Sequence, residues 1–283
     1  MVLSNMKNFN DKVAAITGAG SGMGRTLAFA LARRKCHLAL ADINEKGLAE
    51  TAAEARALGV KVTTQKLDVA QREAVYAWAE AVVKGHGKVN LIFNNAGVAL
   101  GSTVEGMDYA DFEWIMGINF WGVVYGTKAF LPHLKASGEG HIINTSSVFG
   151  LAGIPSQSAY NATKFAVRGF TESLRQELEM MHSPVSATSV HPGGIKTNIA
   201  AAARFSKSMH GTFVKDEASG KKDFEKKFIT TAEKAAEIIL RGVERNARRV
   251  LVGPDAHILD WMVRLLPSGY QRFVMRQAKK TMP

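Results

Sequence analysis

This chain has one cysteine, no long apolar run and no paired histidines, and each shortage excludes a class of protein. A single cysteine, Cys36, excludes an internal disulfide and any metal site built from several thiolates. The eight histidines include no H-x-x-x-H pair, so a zinc hydrolase of the H-E-x-x-H type has no support. No apolar run reaches the length of a membrane span, and the first residues lack the apolar core of a signal peptide. We therefore expect no metal site, no membrane span and a cytoplasmic location.

Negative charge is in short supply, because the 283 residues carry 36 Lys and Arg against 25 Asp and Glu, a formal net charge of +11. Most of the excess lies after residue 200, where 17 basic residues face nine acidic ones. These basic residues are interspersed with apolar ones and accompany no recognised nucleic-acid-binding motif. We therefore expect no nucleic-acid partner.

Short apolar runs alternate with helical patterns along most of the chain. Runs such as KVAAIT, CHLALAD and VNLIFN are typical of buried strands, and helical segments of ten to fifteen residues separate them. That alternation predicts an α/β fold, a Rossmann-like doubly wound parallel sheet of seven strands with helices on both faces. The predicted organisation is a single domain over 1–283, with a core over 10–253, a connection of little periodicity over 198–230 and a C-terminal helical extension over 254–283.

A glycine-rich turn follows the first predicted strand and opens a helical pattern. Its sequence, GAGSGMG, has the spacing G-x-x-x-G-x-G. Glycines there let the backbone approach a pyrophosphate, and the N-terminus of the next helix supplies amide donors and a positive dipole end. The turn therefore predicts dinucleotide binding through Gly18, Ser21, Gly22, Met23 and Gly24.

Further candidate residues stand at the ends of the other strands, where parallel sheets bind ligands. Asp42 ends the second strand, where a carboxylate can accept from the hydroxyls of an adenosine ribose and repels a 2′-phosphate. Arg25 is the nearest cation, and neither Ser21 nor Ile43 is basic, so NAD is favoured over NADP. The other candidates for cofactor binding at strand ends are Asp68, Val69, Asn95, Ala96, Gly97, Pro192, Ile195 and Thr197.

A long helix is predicted over 108–136, with Asn119 in its middle. Asparagine is a mediocre helix former, and its apolar neighbours Ile118 and Phe120 indicate burial. Because a buried amide needs hydrogen-bond partners, Asn119 is expected to make a structural or catalytic polar contact.

Acid–base chemistry is concentrated in the stretch 144–169. A helix that begins near Gln157 places Tyr160 and Lys164 one turn apart on one face. Ser147, at the end of the preceding strand, can meet them across a short loop. A phenol has a pKa of about 10 and is a poor base at neutral pH, but a nearby ammonium favours the phenolate. An ordinary amphipathic helix can show the same Y-x-x-x-K spacing. The spacing alone therefore does not identify a catalytic pair, and the neighbouring motifs have to support it.

In order and spacing, these motifs resemble those of the short-chain dehydrogenase/reductase family, of the single-domain type. The similarity covers about residues 10–253 and has one departure, Ala162-Thr163 where Ala-Ser is more usual. The matching residues are Thr17-Gly18-x-x-x-Gly22-x-Gly24, Asp68-Val69, Asn94-Asn95-Ala96-Gly97, Asn119, Ser147, Tyr160, Lys164 and Pro192-Gly193 to Thr197.

The resemblance implies an NAD(P)-dependent oxidoreductase that interconverts a secondary alcohol and a ketone by hydride transfer. It implies that Tyr160 is the general acid/base and that Lys164 lowers its pKa and holds the nicotinamide ribose. Ser147 would orient the substrate oxygen, and Asn119 would anchor a water that links Lys164 to solvent. The resemblance also implies that the chain is a single dinucleotide-binding and catalytic domain in which residues 198–230 form a lid over the substrate. The expected partners are a small apolar alcohol or ketone and further copies of the chain in a homodimer or homotetramer.

Several alternatives stay open at this point. A 3-oxoacyl-thioester reductase that uses NADPH would suit the basic rim of the predicted lid, and a dinucleotide-binding sensor without turnover would keep the fold alone. The C-terminal extension combines an apolar face with Arg and Lys residues. Packing at a subunit interface or over the active site is favoured for it, ahead of peripheral contact with an anionic membrane or partial disorder.

Overall fold

Seven parallel strands form the central sheet of the computed structural model, which describes residues 6, 8–199, 202–225 and 228–282. In chain order they are β1 Val13–Thr17, β2 His37–Asp42, β3 Val62–Lys66, β4 Leu91–Asn94, β5 Gly140–Thr145, β6 Val185–Pro192 and β7 Arg249–Val252. Their order across the sheet is β7-β6-β5-β4-β1-β2-β3, and every neighbouring pair is parallel. The predicted fold class is confirmed. Because the strand order reverses between β1 and β4, a crevice opens there at the carboxyl ends of the strands.

Helices cover both faces of this sheet, which is why inner strands such as β1, β4 and β5 are buried along their whole length. One face packs against α1 and α8 through residues such as Leu31 and Leu240, and the other packs Trp78 and Phe130 between α3 and α5. The helices are α1 Gly22–Arg33, α2 Glu45–Ala57, α3 Arg72–His86, α4 Tyr109–Met116, α5 Gly122–Ala136, α6 Ser158–Met180, α7 Glu217–Glu225, α8 Ala232–Glu244, α9 Pro254–Leu265 and α10 Tyr270–Thr281.

The predicted helix over 108–136 is interrupted where Asn119 lies. A π-helical turn, Gly117–Trp121, separates α4 from α5, so the prediction of one regular helix was wrong in this detail. Such insertions of one residue into a helix are frequent at functional sites. Here tertiary contacts hold the turn: Asn119 is fully buried, and Gly122 lies so close to Val69 that a Cβ would come within 2.8 Å of its side chain.

The predicted lid contains more regular structure than its sequence indicates. It includes α7 and two short parallel pairings, in which Arg204–Phe205 pairs with Leu100–Gly101 and Thr230–Thr231 pairs with Ile195–Lys196. These pairings tie both ends of the segment to loops that follow the main strands. Residues 200, 201, 226 and 227 of the predicted lid lie outside the described residues.

The C-terminal extension folds into α9 and α10, which are fastened to the edge of the sheet. Asp260 of α9 is buried and lies 3.0 Å from the guanidinium of Arg249 on β7. Tyr270, the first residue of α10, is buried and accepts a hydrogen bond of 3.0 Å from the backbone N–H of Gly153. The extension therefore contacts the loop that leads from β5 to α6. Among the described residues, no helix is long and apolar enough to cross a membrane.

Candidate active site

The turn between β1 and α1 brings backbone to the crevice at close range. Gly18 and Gly22 adopt positive φ angles of 67° and 52°, which glycine adopts without strain. A Cβ on Gly24 would lie 2.0 Å from the carbonyl oxygen of Gly18, so α1 rests directly on the turn. Ser21 precedes α1 with extended backbone, and its hydroxyl makes no capping bond to the helix. The N-terminal amides of α1 are therefore left for an anionic ligand.

Asp42 closes the crevice at the end of β2. Its carboxylate accepts hydrogen bonds of 2.8 Å from the backbone N–H groups of Gly20 and Asn44, which fix its orientation beside the glycine turn. Ile43, the next residue, is 64% exposed and lines the same crevice.

Arg25 is held away from the crevice by four acceptors. Its guanidinium donates to the carbonyl oxygens of Gly20 and Gly47 at 2.7 and 3.1 Å. It also donates to Thr51 at 2.9 Å and pairs with Glu50 at 3.0 Å. These contacts commit Nε and Nη2 of Arg25 to the glycine turn and to α2.

The ends of β1 and β4 are joined by a small polar network. Thr17 Oγ1 accepts from the backbone N–H groups of Asn95 and Ala96 at 3.0 Å, and the Asn95 amide donates to the Thr17 carbonyl oxygen at 3.1 Å. Within the described part of the chain, the buried Asn95 Oδ1 has no hydrogen-bond partner. Asp68 turns the chain after β3 by accepting from the Ala70 N–H at 3.0 Å.

A cavity of about 300 Å³ occupies the crevice. Most of the predicted cofactor residues line it: Gly18, Ser21, Gly22, Met23, Asp42, Asp68, Val69, Asn95, Ala96, Gly97 and Thr197. The predicted cofactor residues Gly24, Tyr160, Lys164, Pro192 and Ile195 are not among the lining residues. Sequence reasoning missed other lining residues, although most adjoin a recognised motif: Leu67, Val98, Ile118, Asn198 and Ala202.

These features fit a dinucleotide. At each glycine of the turn a Cβ would lie 2.0–3.1 Å from other protein atoms, so bare backbone borders the crevice there. Asn95 presents an unpartnered buried oxygen, and Asp42 supplies carboxylate oxygens at the end of β2. Each is a kind of group that a pyrophosphate, an amide or a ribose hydroxyl can use.

Tyr160 and Lys164 lie one turn apart on α6, which begins at Ser158. Lys164 Nζ is 5.6 Å from the centroid of the Tyr160 ring and donates to the Thr145 carbonyl oxygen at 3.1 Å. Both side chains are buried. A Cβ on Gly97 would lie 3.5 Å from Lys164 Nζ, so the ammonium stands directly behind the cavity wall.

Ser147 is fixed by contacts on two sides. Its hydroxyl accepts from the Phe149 N–H at 3.1 Å, and its carbonyl oxygen lies 3.0 Å from His191 Nδ1. Burial lowers the pKa of His191 to about 4, so the ring is neutral at pH 7. Because a carbonyl oxygen only accepts, Nδ1 carries the proton, and Nε2 accepts from the Ser189 hydroxyl at 3.0 Å. Apart from its place at the end of a strand, nothing in the sequence indicates this role of His191.

Burial moves the pKa values of the two titratable groups in opposite directions. It raises the pKa of Tyr160 to about 12, although a hydrogen bond with Ser147 acts to lower it. It lowers the pKa of Lys164 to about 8. In both residues burial favours the neutral form. The protein by itself therefore keeps Tyr160 as a phenol at neutral pH.

The side-chain amide of Asn119 is hydrogen-bonded to the backbone of Val98, a residue that lines the crevice. Its Oδ1 accepts from the Val98 N–H at 2.8 Å, and its Nδ2 donates to the Val98 carbonyl oxygen at 2.9 Å and to Thr163 Oγ1 at 3.3 Å. A Cβ on Gly97 would lie 3.2 Å from Oδ1. The amide thus joins the π-turn, the loop after β4 and α6, while its action on water stays a prediction.

Asn161, which sequence reasoning missed, fastens the loop between β5 and α6. Its amide donates to the carbonyl oxygens of Phe149 and Ala152 at 2.6 and 2.8 Å and accepts from the Ile154 N–H at 3.1 Å. The loop that carries Phe149 is therefore positioned by the residue next to Tyr160. The signal available in the sequence was a polar residue directly after Tyr160 on the predicted helix.

Comparison with known proteins decides the family. A family model described as short chain dehydrogenase matches residues 12–207. The chain is 48% identical over 279 residues to SadH of Mycobacterium tuberculosis, whose name designates it a candidate oxidoreductase; the match covers 98% of this chain and 99% of SadH. The chain belongs to the short-chain dehydrogenase/reductase family. This short-chain dehydrogenase/reductase is therefore an oxidoreductase with a dinucleotide-binding fold, and the resemblance found in its sequence is confirmed.

Solved structures of the short-chain dehydrogenase/reductase family have the same fold. A member from Burkholderia phymatum in complex with NAD has a TM-score of 0.84 at 31% identity, covering 92% of this chain and 95% of that one. An alcohol dehydrogenase from Thermococcus sibiricus complexed with 5-hydroxy-NADP has a TM-score of 0.70 at 27% identity, covering 85% and 95%. Since one is bound to NAD and the other to an NADP derivative, the preference of this chain depends on its own residues.

Proposed function

We propose that this chain interconverts a secondary alcohol and a ketone with NAD as cofactor, and that its substrate is apolar. The observation that carries the proposal is that Tyr160 contacts both Ser147, through a hydrogen bond, and the ammonium of Lys164, which lies behind the cavity wall. Gly97 forms the wall between that cavity and Lys164. The reaction needs a proton donor and acceptor for the substrate oxygen, and Tyr160 is the group proposed for it.

Each residue of the proposed catalytic set has a physical task. A bound nicotinamide supplies or takes up the hydride. In reduction, the Tyr160 phenol donates its proton to the carbonyl oxygen, and a pKa near 12 keeps it protonated at neutral pH. In oxidation, the phenolate accepts the proton from the alcohol, and the positive charge of Lys164 stabilises it. The Ser147 hydroxyl donates to the substrate oxygen and orients it.

Three groups are proposed to hold the cofactor. The turn over 18–24 and the N-terminus of α1 bind the pyrophosphate. Asp42 accepts from the hydroxyls of the adenosine ribose, and Lys164 binds the nicotinamide ribose. A water anchored by Asn119 then links Lys164 to solvent.

The preference for NAD is supported by the charges around Asp42. A 2′-phosphate would stand beside the Asp42 carboxylate and meet the apolar side chain of Ile43. Arg25 is held at Nε and Nη2 by the glycine turn and α2, so moving its guanidinium to a 2′-phosphate would break those contacts. Both effects disfavour NADP.

The apolar surroundings of Tyr160 support an apolar substrate. Tyr160 belongs to a third hydrophobic cluster, separate from the two that flank the sheet. Partly buried apolar side chains from α4 and from the segments after β4, β5 and β6 pack against this cluster: Val98, Met107, Phe112, Trp114, Phe149, Ile199 and Phe205. Lining of this kind binds hydrocarbon by removing it from water.

A steady-state screen tests the proposal. Initial rates are measured with NAD and NADP on secondary alcohols of increasing chain length, steroids and 3-hydroxyacyl thioesters, and on the matching ketones with the reduced cofactors. We expect turnover with NAD, with kcat/KM rising about fourfold per added methylene until the cluster is filled. Turnover of thioesters alone with NADP would favour the thioester reductase instead. Tight NAD binding without turnover of any compound would favour a sensor.

A further inference from the structure

The helices α9 and α10 present a large apolar surface to solvent. Six large hydrophobic side chains on these helices and the turn between them are 48–71% exposed, and we call them the C-terminal patch: Ile258, Trp261, Leu265, Leu266, Phe273 and Met275. In α9, Ile258, Trp261 and Leu265 follow one another at helical spacing on one face. Exposed apolar residues concentrated in so short a segment mark an interaction surface.

The fold does not use this face. The inner sides of α9 and α10 are fastened by Asp260, which pairs with Arg249, and by Tyr270, which binds the Gly153 N–H. Val274 and Ala278 follow Tyr270 at helical spacing and are partly buried. The patch lies on the other, outer sides of α9 and α10. Its apolar residues therefore do not stabilise the described fold.

From residue 261 onward, all charged side chains in the segment that carries the patch are basic. Residues 261–283 contain five Lys and Arg and no Asp or Glu. Arg264 is paired with Asp260 at 2.9 Å. The other four are exposed, and in the described ranges no carboxylate lies within ion-pair distance of any of them: Arg272, Arg276, Lys279 and Lys280.

We propose that the C-terminal patch docks on the surface of an anionic membrane. Apolar side chains that enter the acyl boundary beside basic side chains at the headgroups are the combination that holds an interfacial helix. A second copy fits less well, because a two-fold interface would bring this acid-free basic segment against itself. The proposal stands on the patch alone and does not require the proposed function.

Co-sedimentation of the whole chain with vesicles tests the docking. We expect the protein to pellet with phosphatidylglycerol vesicles at low salt, to stay in solution with phosphatidylcholine vesicles, and to be released by high salt. Lys279→Gln/Lys280→Gln should weaken partitioning about 30-fold, at roughly fivefold per charge. Trp261→Ser/Leu265→Ser should weaken it at least tenfold, since two buried side chains are lost.

Two control variants make the same chemical changes elsewhere. Lys84→Gln/Lys88→Gln removes two exposed charges on and after α3, and Val104→Ser/Met180→Ser removes two side chains that are 73% and 81% exposed. Both should pellet like the wild type. All of the substitutions are at exposed positions, and circular dichroism with NAD titration checks that each variant is folded.

Three results would overturn the proposal. The first is a wild-type protein that fails to pellet with the anionic vesicles. The second is a loss confined to the charge variant, with Trp261→Ser/Leu265→Ser unaffected, which would indicate a general polyanion or acidic-protein site. The third is a fall in the mass of the protein in light scattering when Trp261 and Leu265 are replaced, which would assign the patch to a second copy.

Discussion

Replacing Lys164 by methionine should stabilise the fold while it destroys the site. Burial lowers the pKa of Lys164 from 10.5 to about 8. This shift corresponds to a cost of about 3 kcal/mol for keeping the ammonium in the folded protein at pH 7. The variant also loses the hydrogen bond from Nζ to the Thr145 carbonyl oxygen, worth about 1 kcal/mol. We expect a net gain of about 2 kcal/mol in the free energy of unfolding at pH 7.

The gain should disappear at high pH. Because the pKa of Lys164 is lower in the folded protein, the unfolded chain binds more protons between pH 8 and pH 10.5, the interval bounded by the two pKa values. The cost of the wild-type ammonium is complete below this interval and fades as the pH rises through it. About 1 kcal/mol of that cost remains at pH 10, which the lost hydrogen bond offsets.

Urea unfolding of the cofactor-free proteins at pH 7 and pH 10 measures both effects. Lys128→Met, at an exposed lysine of α5, is the matched control and should stay within about 0.5 kcal/mol of the wild type at either pH. A Lys164→Met protein that is less stable than the wild type at pH 7 would refute the reasoning. So would a gain of the same size at both pH values.

Three further predictions concern the cofactor, the substrate loop and the proton. Asp42→Ala should reduce the preference for NAD over NADP at least about tenfold in fluorescence titrations, because it removes the charge beside the 2′-position; an unchanged ratio counts against the role of Asp42. Tyr270→Phe removes the acceptor of the Gly153 N–H and should raise KM for the alcohol about fivefold, with the NAD dissociation constant unchanged; a shift in NAD binding instead would disprove a loop-specific role. Oxidation should accelerate with pH because it requires the Tyr160 phenolate, whose pKa burial raises, while reduction should slow only as the pH approaches that pKa; initial-rate profiles with the opposite slopes would contradict the assignment.

The sheet could be predicted because its strands are covered on both faces. Strands such as β1 are buried along their whole length and therefore appear as continuous apolar runs, and the glycine turn marks where β1 ends. The π-turn could not be predicted, since it depends on the contact of Asn119 with the backbone of Val98, far away in sequence. The two-residue strands of the lid are too short for any periodicity.

The candidate site likewise contains residues that the sequence reveals and residues that only the folded structure reveals. Tyr160, Lys164 and Ser147 carry reactive groups and could be found from residue type and spacing. His191 and Asn161 act through backbone groups of neighbouring loops, which only the folded chain brings to them. Burial also shifts pKa values in a way that spacing does not reveal: it raises the pKa of Tyr160, and the lowering expected from Lys164 together with a cationic cofactor ring stays a prediction.

The most direct test of the central claim is the turnover of Tyr160→Phe. This substitution removes the phenolic oxygen and keeps the ring that packs edge-on against Phe149 at 5.8 Å. With Tyr109→Phe, at a tyrosine that is 88% exposed, as the matched control, kcat and the NAD dissociation constant are measured for both variants. We expect kcat of Tyr160→Phe to fall by about 10²–10⁴-fold with NAD binding within about twofold of the wild type, and no change for the control. Turnover by Tyr160→Phe close to that of the wild type would contradict the account.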